Sequence, residues 1–136
     1  MIEINNTTKQ KIPTALLKSI SEKFLASKRL TKKDVSIALI GDAKMRELNK
    51  RYRNLDKTTD VLSFEGDDGL LGEILISPAQ IKRQAKENKN TFQQELVFIL
   101  VHGLLHLVGY DDKTEKTRLQ MIKIGEGFIK KLTAKK

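Results

Sequence analysis

The chain has 136 residues, no cysteine, and 26 Lys and Arg against 17 Asp and Glu, a formal charge of +9. Its length fits one domain, and 39% hydrophobic with 32% charged residues fits one compact core rather than a disordered or fibrous chain. The lack of cysteine excludes disulfides, thiolate zinc sites and thiol catalysis. The first ten residues, MIEINNTTKQ, show no basic-then-apolar signal pattern, and the longest apolar run, Leu96 to Val101, is too short to span a bilayer. A soluble, cytoplasmic protein with no membrane partner is the expectation. The positive surplus fits a polyanionic partner, because each neutralised phosphate releases condensed counterions. Between Lys44 and Lys57 stand Lys44, Arg46, Lys50, Arg51, Arg53 and Lys57 against only Glu47 and Asp56. Aromatic residues make up 5% of the chain, so no base-stacking platform is evident and charge would do most of the binding.

In chain order, Met1 to Asn5 reads as a short edge strand. Pro13 suits the first position of a helix to about Lys28 that turns Leu16, Leu17, Ile20, Phe24 and Leu25 to one face. Val35, Ile37 and Leu39 alternate with small or polar residues, predicting a strand that ends at Gly41. Asp42 is placed to cap a helix carrying Met45, Leu48 and Tyr52 inward. Asp60 to Phe64 and Glu73 to Ser77 read as strands on either side of the turn sequence GDDGLLG. Pro78 opens a polar helix to about Asn88. Thr91 and Gln94 form a capping box for a helix from Phe92 to Val108, apolar nearly all round from Leu96 and therefore buried. Gly109 stops it. A last helix spans Thr114 to Leu132, and residues 130–136 form a frayed basic tail. Strands mixed with helices, most helices late, predict a single α+β domain over residues 1–136, with a mixed sheet of about four strands covered by helices.

The two histidines of the chain stand four apart, in His102-Gly-Leu-Leu-His106. On a helix that spacing turns both rings to one face, about 40° apart, so both can close on one ion. Imidazole suits zinc, copper, nickel or iron, and zinc is the usual hydrolytic choice. A catalytic zinc site commonly has three protein ligands and one open position. Gly109 lets the chain reverse, which brings Asp111 or Asp112 within reach as the third ligand. Either aspartate is also placed to cap the last helix, Asp112 forming a capping box with Glu115. Zinc peptidases of one common type carry a glutamate directly after the first histidine. Here that position is Gly103, which argues against that chemistry.

HGLLHLVGYDD resembles the signature of the YbeY family of bacterial endoribonucleases, the rRNA maturation factors: two histidines four apart, a Gly-Tyr-Asp turn, then a third histidine. ELNKRYRNLDKTTDVLSF is similar to the family's arginine-bearing helix and following strand, and LGEILIS to its next strand. The resemblance implies an α+β domain, a zinc-like ion, single-strand-specific cleavage of RNA in 16S rRNA 3′-end maturation, a part in ribosome quality control, and ribosomal partners, with no DNA partner. It places the family's functional arginine on Arg53 and its third histidine on Asp112. The implied metal set is therefore His102, His106 and Asp112. A carboxylate in this place binds zinc at ~2.0–2.2 Å, acidifies water less than an imidazole would leave it, and admits harder metals such as manganese. Arg53 offers the planar, always charged donor fork that suits a phosphodiester. Glu126 on the last helix is a further candidate partner for the site. Two other readings compete with the endoribonuclease: a non-catalytic ribosome-assembly factor with a structural metal, and a metal-dependent hydrolase of a substrate other than RNA.

Overall fold

The structure, a computed structural model, describes residues 1–134. Four strands, β1 (Ile2–Asn6), β2 (Asp34–Leu39), β3 (Val61–Glu65) and β4 (Leu70–Ile76), lie in the order β1-β2-β4-β3. β1 and β4 run parallel to β2, and β3 runs antiparallel to β4. The sheet is therefore mixed and four-stranded, as expected, with β1 at one edge, as expected for Met1 to Asn5, and β3 at the other. Ile4, Ile37 and Ile74 sit side by side in register.

Alternation along the strands gives the sheet two apolar faces. Val35, Ile37, Leu39, Ile74 and Ile76 join the main core with α1 (Thr14–Ser27), α3 (Pro78–Glu87), α4 (Phe92–Leu107) and α5 (Glu115–Ala134). Leu62 and Leu75 point the other way and form a smaller cluster with Ile40 and with Met45 of α2 (Asp42–Arg53). The molecule is thus a sheet with α2 on one face and the other helices on the opposite one, an α+β arrangement. Burial at period two in the strands meets burial at period 3.6 in the helices, and each apolar face finds a partner.

Several expected boundaries shift for local reasons. Pro13 is the N-cap of α1, not its first residue: its carbonyl accepts from the Leu17 N–H at 3.1 Å, while its own ψ of 73° is not helical. Gly41, rather than Asp42, caps α2. Asp42 is the first helical residue, and its carboxylate binds Ser77 Oγ at 2.9 Å, Thr58 Oγ1 at 3.1 Å and Arg83 at 2.8 Å. β4 begins three residues before Glu73, because Gly72 pairs with Glu65 and Leu70 with Asp34. The turn shrinks to residues 66–69. Tyr52 is not turned into the core; it is 59% exposed. α5 continues to Ala134, so residues 130–134 of the expected tail are helical and the remaining two lie outside the described residues.

The Thr91–Gln94 capping box forms as predicted, with both reciprocal bonds present. α4 is the central helix, and Gly103 sets how closely it lies on the sheet. A Cβ there would stand 3.1 Å from Ile74, 3.2 Å from Ser63 and 3.3 Å from Val61. The one carboxylate buried in α4, Glu95 at 3% exposure, is matched by the amides of Asn88 and Asn90.

Candidate metal centre

His102 and His106 project from the last two turns of α4 at the edge of the sheet. The His102 ring lies between Phe98, stacked one turn earlier at 6.3 Å, and His106 at 5.0 Å. These contacts fix its orientation. After His106 the helix closes in a Schellman motif: Gly109 N–H reaches the His106 carbonyl at 3.1 Å and Tyr110 N–H the Leu105 carbonyl at 3.1 Å. Gly109 has φ = 101°, a conformation open to glycine and costly to other residues. The reversal returns the chain toward the two rings.

Asp112 is the residue it delivers. Its Oδ2 lies 3.5 Å from His102 Nε2 and 3.6 Å from His106 Nε2. Ligand atoms of the three residues all fall within 4.8 Å of one another. Nitrogen–oxygen separations of this length are too long for good hydrogen bonds. They match the edge of a ligand tetrahedron, because donors ~2.1 Å from a shared ion at the tetrahedral angle stand about 3.4 Å apart. Two imidazoles and a carboxylate are also a donor set that zinc accepts. The residues present therefore fit a divalent ion, and it is the only such group of three or more among the described residues.

The two capping roles open to the aspartates are taken differently from either expectation. Thr114 caps α5: its Oγ1 accepts from Thr117 N–H at 3.1 Å, and Thr117 Oγ1 accepts from Thr114 N–H at 3.1 Å. Asp111 instead accepts from Lys113 N–H at 3.1 Å, and that bond, with help from Thr117, holds its carboxyl below the ordinary value. Asp111 is outside the cluster.

Burial lowers the pKa of His102, and the neighbouring His106 lowers it further; Asp112 and Asp60 offset part of this. His102 is thus kept neutral, the form a metal requires.

The cluster opens into a cleft of ≈ 530 Å³, within the ~300–1,000 Å³ usual for ligand sites. β3, an edge strand, forms its floor, and α2, α4 and α5 its walls. Arg53 lines this cleft. Glu126 does not; it is exposed elsewhere on α5. Arg118 on α5, Asp60 before β3 and the outward Tyr52 also line it, though no sequence motif marks them as site residues. Arg46, Arg51 and Arg83 are paired with Asp56, Glu47 and Asp42. Arg53 and Arg118 have no acidic partner among the described residues.

The family model described as endoribonuclease YbeY matches residues 2–133. The chain belongs to the YbeY family. It is 40% identical over 120 residues to endoribonuclease YbeY of Aliarcobacter butzleri, covering 85% of this chain and 81% of that protein. Against endoribonuclease YbeY of a Sulfurihydrogenibium species it is 40% identical over 131 residues, covering 91% and 86%. The solution structure of a Thermotoga maritima protein superposes with a TM-score of 0.66 at 29% identity, covering 99% of this chain and 93% of that one. The matched span takes in all four strands, α1 to α4, and α5 as far as residue 133.

Proposed function

We propose that this YbeY-family chain is a metal-dependent endoribonuclease that cuts single-stranded RNA in the cleft, with His102, His106 and Asp112 as the metal ligands. The observation that carries the reading is the meeting of this donor set with two unpartnered guanidiniums, Arg53 and Arg118, in one cleft. Three protein donors leave a position free for a reactant, as hydrolytic sites do and closed structural sites do not. An ion held there supplies Lewis acidity to a phosphoryl oxygen and lowers the pKa of water. His102 and His106 each offer an Nε2 atom, and Asp112 offers Oδ2. Arg53 grips the non-bridging oxygens of the scissile phosphate with its donor fork and stabilises the extra charge of the pentavalent state. Arg118, on the α5 wall, holds a neighbouring phosphate.

The ion is zinc in this reading, with manganese the competitor that the Asp112 carboxylate favours. The substrate class is the 16S rRNA precursor near its 3′ end, the partners are ribosomal, the wider role is in ribosome quality control, and the compartment is the cytoplasm. Among the described residues, no helix is long and apolar enough to cross a membrane. The test joins elemental analysis to cleavage of an end-labelled single-stranded RNA. Purified chain is expected to carry one ion, to lose cleavage on chelation and to regain it with zinc. His102→Ala and His106→Ala should both lose metal and cleavage, and the melting temperature should fall, since a ligand at a thousand times its Kd stabilises by ~4 kcal/mol. Full metal occupancy in the double variant, or cleavage that survives it, overturns the assignment.

A further inference from the structure

Tyr52 is the one exposed ring among the chain's two tyrosines and five phenylalanines. Met45 and Leu48 precede it at helical spacing and pack on the sheet, so Tyr52 would be expected to follow them inward. It does not: it lies in the last turn of α2, is 59% exposed, and stands beside the edge strand β3. There its ring meets Phe64, edge to face, with centroids 5.1 Å apart and planes at 66°. Both rings line the cleft beside Arg53. The Tyr52 hydroxyl makes no hydrogen bond among the described residues, so the ring is held by Phe64 and by its own helix.

An exposed aromatic ring, braced from one side and adjacent to an unpartnered guanidinium, is the arrangement that binds a nucleotide: the ring takes the base and the cation takes the phosphate. We propose that Tyr52, backed by Phe64, is a stacking subsite for one unpaired base of the RNA, next to the phosphate held by Arg53. This rests on the RNA-cleaving reading and adds a cause for strand selectivity. A base within a duplex has both faces covered by its neighbours and cannot lie on Tyr52, whereas an unpaired base offers a free face.

The experiment uses the intact metal-loaded protein and single-stranded oligoribonucleotides carrying 2-aminopurine at successive positions, mixed by stopped flow so that quenching is read before cleavage. Quenching is expected at one position beside the scissile bond, lost in Tyr52→Ala and kept in Tyr52→Phe. Tyr52→Ala should raise KM for the single strand about tenfold, as loss of one stacked base does, with little change in kcat. Tyr52→Leu, which keeps bulk without a π face, should behave like Tyr52→Ala. Affinity for a duplex of the same sequence should not change. Unaltered quenching and KM in Tyr52→Ala overturn the stacking subsite while wild-type cleavage still stands. A wild-type protein that neither binds nor cleaves RNA overturns the underlying reading instead.

Discussion

Ser63 on β3 donates its hydroxyl proton to the carbonyl of Gly103 on α4, 3.2 Å away. Gly103 follows the first histidine, and the contact shows why that position holds no side chain: it faces the sheet, not the cleft. Gly103→Glu should therefore fail to create a zinc-peptidase base. A side chain there is crowded from its Cβ outward by Ile74, Val61 and Ser63, and its carboxylate is buried with no cation beside it, only the Ser63 hydroxyl, so the fold should lose about 3 kcal/mol or more. Chemical denaturation measures this. A stable Gly103→Glu protein with new peptidase activity would show that the helix can rotate and that its face is wrongly assigned.

The two arginines of the cleft should separate by kinetics. Arg53→Ala is expected to keep metal and melting temperature and to lose kcat by about a hundredfold or more, as loss of an electrostatic donor at a reacting centre does. Arg53→Lys should stay impaired, since an ammonium keeps the charge without the bidentate fork. Arg118→Ala should instead raise KM and reduce the slope of log affinity against log salt by about 0.7, the value for one single-strand phosphate contact. An unchanged salt slope in Arg118→Ala would place that residue outside the phosphate path.

The histidine pair and the sheet were legible because they depend on spacing. A four-residue interval on an apolar helix, a capping box at Thr91, and strands alternating at period two are local signals that tertiary packing here only confirms. Arg118 and Asp60 were not legible. Each reaches the cleft because elements distant in sequence meet there, α5 packing on α4 and the residues before β3 lining the same cleft, and no local pattern distinguishes Arg118 from the other basic residues of its helix. Tyr52 was misplaced for a related reason. Periodicity gives the face on which a residue lies, but not whether the sheet extends far enough to cover it. The aspartates were ambiguous because carboxylates serve equally as caps and ligands, and Thr114 took the cap through a hydroxyl pair that the sequence Thr-Glu-Lys-Thr does not advertise.

Asp42 should make stability depend on acid pH. Burial raises its pKa, but the hydrogen bonds from Arg83, Ser77 and Thr58 outweigh burial and leave it below the ordinary aspartate value. A depressed native value means the carboxylate contributes stability above the unfolded pKa, and the contribution is lost as pH falls through the lower native value. Asp42→Asn should therefore be less stable than wild type near neutrality by about 1 kcal/mol, a modest figure because the Arg83 pair is partly exposed. The difference should shrink below pH ~4. A gap between the two proteins that stays constant down to pH 2 would show that charge on Asp42 has no part in it.

Asp112 carries the most exacting test, because Thr114 has relieved it of any capping duty. Asp112→Asn should leave α5 and the melting temperature of the metal-free protein unchanged, yet weaken metal binding strongly, since a neutral amide oxygen is a poor zinc ligand. Thr114→Ala should do the reverse: about 1 kcal/mol less stable from the lost cap, with metal affinity retained. Asp112→His rebuilds the three-histidine arrangement that the family resemblance implies. It should hold zinc at least as tightly as the wild type and discriminate more strongly against manganese, because imidazole is the softer donor. Its rate–pH profile should also move to lower pH, because a neutral ligand leaves more positive charge on the ion. Titrating metal into all four proteins and following RNA cleavage against pH separates these outcomes. If Asp112→Asn takes up zinc as tightly as the wild type, the 3.5 Å and 3.6 Å approaches of its carboxylate to the two imidazoles are no more than an ion-pair geometry, and the third donor has to come from elsewhere in the cleft.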